Sequence, residues 1–304
     1  MKTPAAARST SAPRKRARPT GTAGVLFDAP GPKARIRHNV LTLVGVVLLL
    51  LVAWFVWRRM DEAGQWDGDL WSPFLDPQVW TGLILPGLWG TLTAAAVAAV
   101  LALAFGVVFG LGRLSERAWI RLPSAWVVEF FRAIPVLIMI FSAQYLSFSV
   151  AGQVMPAFWA VVIGLTLYNG SVLAEVFRAG ILAVPRGQSE AAYALGLQRG
   201  AVMRLVLLPQ AVTAMLPAIV GQMVVLLKDT ALGYIISYED LLNAGFRIVP
   251  SNFGNLIPAA VVVALIYILI NLVLGWAAAR LEARSRRGRR SAAAPVTAPP
   301  APGT

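Results

Sequence analysis

Six stretches of this 304-residue chain, at about 40–57, 83–112, 133–150, 157–180, 209–237 and 256–280, are each eighteen residues or longer and nearly free of charge. At 1.5 Å per residue, such a segment spans about 30 Å of hydrocarbon. In that medium only a helix, or strands closed into a barrel, can satisfy the backbone. The runs are continuous rather than alternating, which favours helices. Composition agrees: 58% of residues are hydrophobic and 13% charged, about half the charged share of a soluble domain. The expected class is an all-α integral membrane protein.

The charges set an orientation. Of 27 Lys and Arg, 23 fall on one side when the N-terminus is placed inside, leaving Arg58, Arg59 and Arg247 outside and Lys228 within a span. The positive-inside rule therefore predicts a multi-pass protein of the cell membrane with both termini cytoplasmic. Residues 1–39 hold nine Lys and Arg and five Pro and read as a disordered basic cytoplasmic tail. The anionic inner leaflet is a sufficient partner for it, without nucleic acid. Residues 282–304 read as a second disordered tail. The 58–82 segment, rich in Trp at Trp66, Trp71 and Trp80, reads as an extracellular loop bearing an aromatic belt. It separates a first transmembrane helix, 40–57, from a five-helix core, 83–281. The chain has no Cys and one His, His38, so neither thiolate chemistry nor a multi-histidine metal site is available.

The loop at 185–209 carries the most local information. Ser189 is a cap-type residue and Glu190 suits the first turn of a helix, with good helix formers through Leu195. Gly196 and Gly200 interrupt; Val202–Leu208 predicts a second short helix; Pro209 marks the join to the fifth span. Ala191, Ala192 and Ala194 leave a shallow face suited to docking in another protein's groove, although a plain linker between spans is the simpler alternative.

At these residues the chain resembles a family. Glu190-Ala191-Ala192, Gly196 and Leu208-Pro209 are similar to the cytoplasmic "EAA" loop of ABC importer permeases. The longer pattern resembles the polar-amino-acid branch: Gly187-Gln188, Leu195-Gly196-Leu197, Leu208-Pro209-Gln210-Ala211, Leu216-Pro217 and Lys228-Asp229-Thr230, with Phe131-Arg132-Ala133-Ile134-Pro135 and Tyr168-Asn169-Gly170-Ser171. Gly221 and Ala231 depart from that branch, where Asn and Ser are usual. The stretch Leu26–Pro32 before an extra first span resembles glutamate-uptake permeases of actinobacteria.

This resemblance implies a type I ABC importer transmembrane domain carrying one added N-terminal helix. It implies that Gly187, Glu190, Ala191, Ala192, Gly196, Leu208 and Pro209 couple the chain to a separate cytoplasmic ATPase dimer. A second permease subunit, an extracellular solute-binding protein and a polar amino acid, foremost glutamate, complete the expected partners. No G-x-x-x-x-G-K-[ST] phosphate loop occurs in the chain, so ATP is expected to be used by the partner and no cofactor to be bound directly. The chain is not expected to be an enzyme by itself.

Polar residues inside the spans are the remaining candidates, because a charge at a helix centre costs about 2.5–3.5 kcal/mol on insertion scales unless paired or wet. Glu129 with Arg132 and Glu175 with Arg178 are spaced to pair on one helix face. Lys228 and Asp229 find no countercharge among their helical neighbours and need another helix, a freed backbone group or a wet cavity. Asn169, Ser171, Glu175, Gln222, Lys228, Asp229 and Thr230 are the candidate translocation-path residues; interhelical hydrogen bonding is the alternative for Asn169, Ser171, Gln222, Gln144 and Tyr145. Gly164, Gly170, Gly221 and Gly233 are expected to allow close helix packing or local unwinding. The rival class is an ion-coupled secondary transporter or channel, for which intramembrane acids are few and no inverted repeat is evident.

Overall fold

The computed structural model describes residues 31–292 and divides into two units, Met1–Ala63 and Gly64–Thr304. The stretch predicted as tail at 1–30, with most of the Leu26–Pro32 signature, and the stretch at 293–304 lie outside the described residues.

In the first unit, α1 (Pro32–Glu62) is one helix of 31 residues. It starts eight residues before the predicted span, so the expected disordered tail does not extend to residue 39. Pro32, at the first helical position, has the φ a helix needs and loses only an N–H that would be unpaired there anyway. Leu48, Leu49, Leu50 and Leu51 on four successive sides are all exposed. An apolar surface on every side of a helix is what hydrocarbon accommodates.

The second unit opens with short helical turns at Gly68–Trp71, Ser72–Leu75 and Pro77–Val79, so the predicted loop at 58–82 is largely coiled into helix. Trp71 and Trp80 donate indole N–H bonds to the carbonyls of Gln65 and Phe74, at 3.0 and 2.8 Å. The main helices follow: α2 (Leu85–Arg113), α3 (Ala118–Ala133), α4 (Val136–Ala151), α5 (Ala157–Leu182), α6 (Arg186–Ala194), α7 (Leu208–Asp229) and α8 (Leu256–Ala292). Among the described residues five helices are long and apolar enough to cross a membrane. A sixth span results if α3 and α4, bent 101° from each other, are taken together.

That bend corrects the predicted third span. Ile134 is extended, at φ −93° and ψ 128°, because the ring of Pro135 disfavours helical geometry in the residue before it. The apolar run at 133–150 is therefore cut at its start, and only the 16 residues of α4 continue it. The far end differs too: α8 runs to Ala292, beyond the predicted limit at 281, since Leu, Glu, Ala and Arg are all good helix formers.

Three helices share one device. Wide π-type turns at Trp80–Ile84, Val202–Leu207 and Ala244–Ile248 each end two residues before a proline, at Pro86, Pro209 and Pro250. A proline ring clashes with the carbonyl four residues back and cannot donate to it; a locally widened turn removes both conflicts without ending the helix. Pro209 is thus not a break. The helix is continuous from Arg199 to Ile236, and the expected second short helix of the loop is its foot.

The core is a seam between α2 and α5. On α2 the buried positions are Gly87, Thr91, Ala94, Ala98, Ala102, Gly106 and Gly110, small residues nearly every fourth place, which let two backbones approach. A β-carbon on Gly110 would stand 2.8 Å from the Ala174 carbonyl oxygen. Gly164, Gly170 and Gly233 are likewise crowded, by Ile140, Phe105 and Tyr238; Gly221 faces open space instead and does not serve packing within this chain.

Candidate functional site

Two sites can be built from the residues singled out by sequence. The first is the loop between α5 and α7. Pro185 sets the entry to α6, which begins at Arg186, three residues ahead of the predicted cap. Ser189 lies inside the helix and donates to the Arg186 carbonyl at 2.7 Å. The three alanines do not share a face: Ala192 is buried, while Ala191 and Ala194 are exposed with Glu190 and Gly187. At its end α6 forms a complete left-handed cap. Gly196, at φ +78°, donates to Tyr193 O at 2.9 Å, and Leu197 donates to Ala192 O at 3.2 Å, the paired bonds that a glycine at this position permits.

Further ties fasten this segment to the bundle. Gln210 at the foot of α7 donates to Gln188 Oε1 at 3.4 Å and to the Val206 carbonyl at 2.9 Å. Arg199 pairs with Glu116, in the turn between α2 and α3. Glu116, Arg117, Tyr193, Arg199, Gly200 and Met203 line a groove of about 480 Å³, which puts the loop and the α2–α3 turn on one side of the molecule. Leu208 is half-buried and Pro209 exposed.

The second site lies among the spans. Asn169, fully buried on α5, donates to the Leu165 carbonyl at 3.0 Å and accepts from Gln222 Nε2 at 2.7 Å. The Asp229 carboxylate lies near it as well. Gln222 and Asp229 are seven residues apart, two turns along one face of α7, and so bracket Asn169. These three candidates come together. Ser171 and Thr230 do not join them: their hydroxyls donate to the carbonyls of Tyr168 and Leu227, both at 2.7 Å, within their own helices. Lys228 points elsewhere, into a cavity of about 580 Å³ that Tyr267 and Asn271 of α8 also line. Tyr145 is exposed and stacks on Phe141, while Gln144 is buried with an unpartnered Oε1.

Glu175 belongs to an ion network, which sets it apart from the Asn169 cluster. Arg178 approaches it at 2.5 Å, as the spacing predicts, and Arg113 of α2 at 3.0 Å. Arg113 also reaches Glu129 at 3.3 Å, so the expected Glu129–Arg132 pair is replaced by a bond to another helix. One nearly buried arginine thereby joins α2, α3 and α5. Sequence reasoning passed over it because it ends an apolar run, where basic residues are routine.

Asp240 was also missed. It is fully buried in the segment after α7; Oδ1 caps the next helical turn by accepting from Asn243 N at 2.7 Å, and Oδ2 is buried without a partner. Burial pushes its carboxyl up to about 7. The same segment lies directly on α2, where Tyr238 donates to Gly90 O at 2.7 Å and Leu241 N donates to Thr91 Oγ1 at 3.0 Å.

Comparison with known proteins matches this architecture. The family described as "Binding-protein-dependent transport system inner membrane component" matches residues 102–287. The chain is 49% identical over 228 residues to the glutamate transport system permease protein GluD of Corynebacterium glutamicum, covering 74% of this chain and 83% of that one. It is 32% identical over 203 residues to the arginine transport system permease protein ArtQ of Bacillus subtilis, covering 66% and 90%. Among solved structures it resembles that of an amino acid ABC transporter with histidines, at TM-score 0.63 and 30% identity over 67% of this chain and 95% of that one. The methionine transporter MetNI shares the fold at TM-score 0.59 and 21% identity over 69% and 98%. A multi-pass helical bundle, a family match over most of its length and this degree of identity lead to one assignment: the chain belongs to the family of binding-protein-dependent transport system inner membrane components.

Proposed function

We propose that this protein is the permease subunit of an ABC importer for a polar amino acid, glutamate foremost, and that it forms the translocation path while a separate ATPase supplies the energy. The observation that carries this reading is the 49% identity to a glutamate permease, extending through the loop at 185–209. In this reading α6 docks on a cytoplasmic ATPase dimer through its exposed Glu190, Ala191 and Tyr193, both termini are cytoplasmic, and a second permease subunit and an extracellular binding protein complete the assembly. Closure of the ATPase pair displaces α6; the continuous helix from Arg199 passes the motion to α7 and to the Asn169–Gln222–Asp229 cluster. A ligand shifts a conformational equilibrium only through unequal contact with its states, so the ATP-bound and ATP-free motor must hold α6 differently.

The test is uptake of labelled glutamate into proteoliposomes containing the assembled transporter. Uptake is expected only with binding protein outside and ATP inside, and Glu190→Lys should abolish coupled ATP hydrolysis without impairing membrane insertion. Uptake driven by an ion gradient with no ATPase present would refute the reading in favour of a secondary transporter.

A further inference from the structure

Away from the coupling loop and the Asn169 cluster, one arginine stands apart. The helix from Arg199 to Ile236 is continuous over 38 residues, more than the roughly 20 that cross a hydrocarbon layer of about 30 Å. Its far end, with the segment 237–255 that follows, therefore emerges on the side opposite the loop at 185–209. There it meets the short turns that open the second unit: Asn255 donates to the Leu70 carbonyl at 2.9 Å, and Val79 and Ile84 share a core with Leu241 and Val249. The exposed charged groups of these two segments, 64–84 and 230–255, are Asp67, Asp69, Asp76 and Glu239, against the single base Arg247. An anion arriving at this face meets one attractive group among repulsive ones.

Arg247 is held in place. It lies in the wide turn Ala244–Ile248, and its Nη1 donates to Ser237 Oγ at 2.9 Å. It enters no ion pair and makes no other hydrogen bond with a described residue, so most of its five N–H donors stay open. Ser237 is itself unusual. At φ +59° it is the only non-glycine residue with a positive φ among the described residues, and it caps the tight turn Thr230–Ile236 that prolongs α7. Glycine is the usual residue at such a cap, and an L side chain is strained there. What serine supplies and glycine lacks is the hydroxyl beneath Arg247. Having accepted from the guanidinium, that hydroxyl keeps its own O–H to donate, so two donors stand side by side at the outer end of α7, eight residues beyond Asp229.

We propose that Arg247 and Ser237 form an entry site for a carboxylate of the transported amino acid, which they take up at the outer end of α7 as the solute leaves the binding protein. This inference rests on the permease reading above and adds to it a recognition point for an acidic solute. The planar fork of Arg247 suits a carboxylate; Ser237 is the second donor and also the group that positions the arginine.

The test is uptake by the assembled transporter in proteoliposomes, with ATP inside and glutamate-loaded binding protein outside. In Arg247→Gln, uptake at limiting glutamate should fall about tenfold or more, the scale of one lost charge-assisted hydrogen bond. Arg247→Lys should recover only part of this, because the charge returns without the fork. Ser237→Gly separates recognition from folding: relieved of torsional strain, it should be at least as heat-stable as the wild type and yet transport glutamate severalfold more slowly. Ligand-free binding protein should bind wild type and Arg247→Gln in nanodiscs equally well; weaker binding to the variant would assign the arginine to a carboxylate of the binding protein and overturn the proposal. Undiminished uptake in Arg247→Gln or in Ser237→Gly also overturns it. ATP-dependent uptake by the wild type is the control: its absence refutes the permease reading and the entry site together, whereas undiminished uptake in the variants removes the entry site alone.

Discussion

Gly196 offers a test in which the cost comes from backbone torsion alone. It holds φ +78°, and a β-carbon built on it would meet nothing within 4 Å. Gly196→Ala therefore introduces no clash; it places an L side chain in the left-handed region, at about 1–2 kcal/mol. Two backbone bonds depend on that conformation, Gly196 N to Tyr193 O and Leu197 N to Ala192 O. A penalty of this size raises the open population of the α6 terminus by about 5- to 30-fold, and the amides of residues 196 and 197 should exchange hydrogen faster by the same factor. Exchange mass spectrometry on peptides spanning 190–205 reads this directly. Gly196→Asn should recover most of the protection, because asparagine tolerates the left-handed region. Gly187 supplies the contrast: its φ is not positive and its surroundings are open, so Gly187→Ala within α6 should stabilise by about 0.5–1 kcal/mol. Wild-type exchange in Gly196→Ala, or equal damage from Ala and Asn, would refute the torsional argument.

Other perturbations follow from the buried charges. Asp240 holds its proton up to about pH 7 when folded, against 3.8 for an unperturbed carboxyl, so the native state binds more protons than the unfolded chain between those values. Stability should fall as pH rises from about 4 to about 7 and level off above, by at most ~4 kcal/mol at ~1.4 kcal/mol per pH unit. Thermal unfolding of Asp240→Asn, which keeps the cap acceptor, should lose that slope. Arg113→Met leaves Glu175 paired with Arg178 alone but removes the one group that joins α2 to α3 and α5, and should cost about 1–2 kcal/mol, below the usual value for a fully buried pair because Glu175 is part-exposed. Glu129→Gln should cost less than about 0.5 kcal/mol, since the Glu129 side chain is 67% exposed; equal effects in denaturant titrations would contradict the central place given to Arg113.

Hydropathy made the helical class, the separate first helix and the loop at 185–209 legible, because all three are local in sequence. The α2 seam went unread although its signal is present: Gly106 and Gly110, with alanines at 94, 98 and 102, repeat at the period of one helix face, which averaging over apolar runs hides. What the sequence concealed is non-local or directional. Ile134-Pro135 lies within an apolar run, and hydropathy carries no angle, so a 101° corner reads as a straight span. Glu129 has an arginine three residues on, yet its partner is Arg113, sixteen residues back. The segment 282–292 is polar enough to read as a tail, while its intrinsic propensity keeps it helical. Asp240 looked like any acid between spans; only the close approach of its backbone to Gly87 encloses it.

The attachment of α6 has a mechanical corollary. Ala192 is buried, Gln188 is tethered to Gln210, and Arg199 is paired with Glu116, so the segment is tied both to the foot of α7 and to the turn after α2. A handle mounted this way divides its load: a push on Tyr193 bears on the base of α7 and on the corner after α2 together. A displacement is therefore shared between two helices, whereas a loosely slung loop would absorb it.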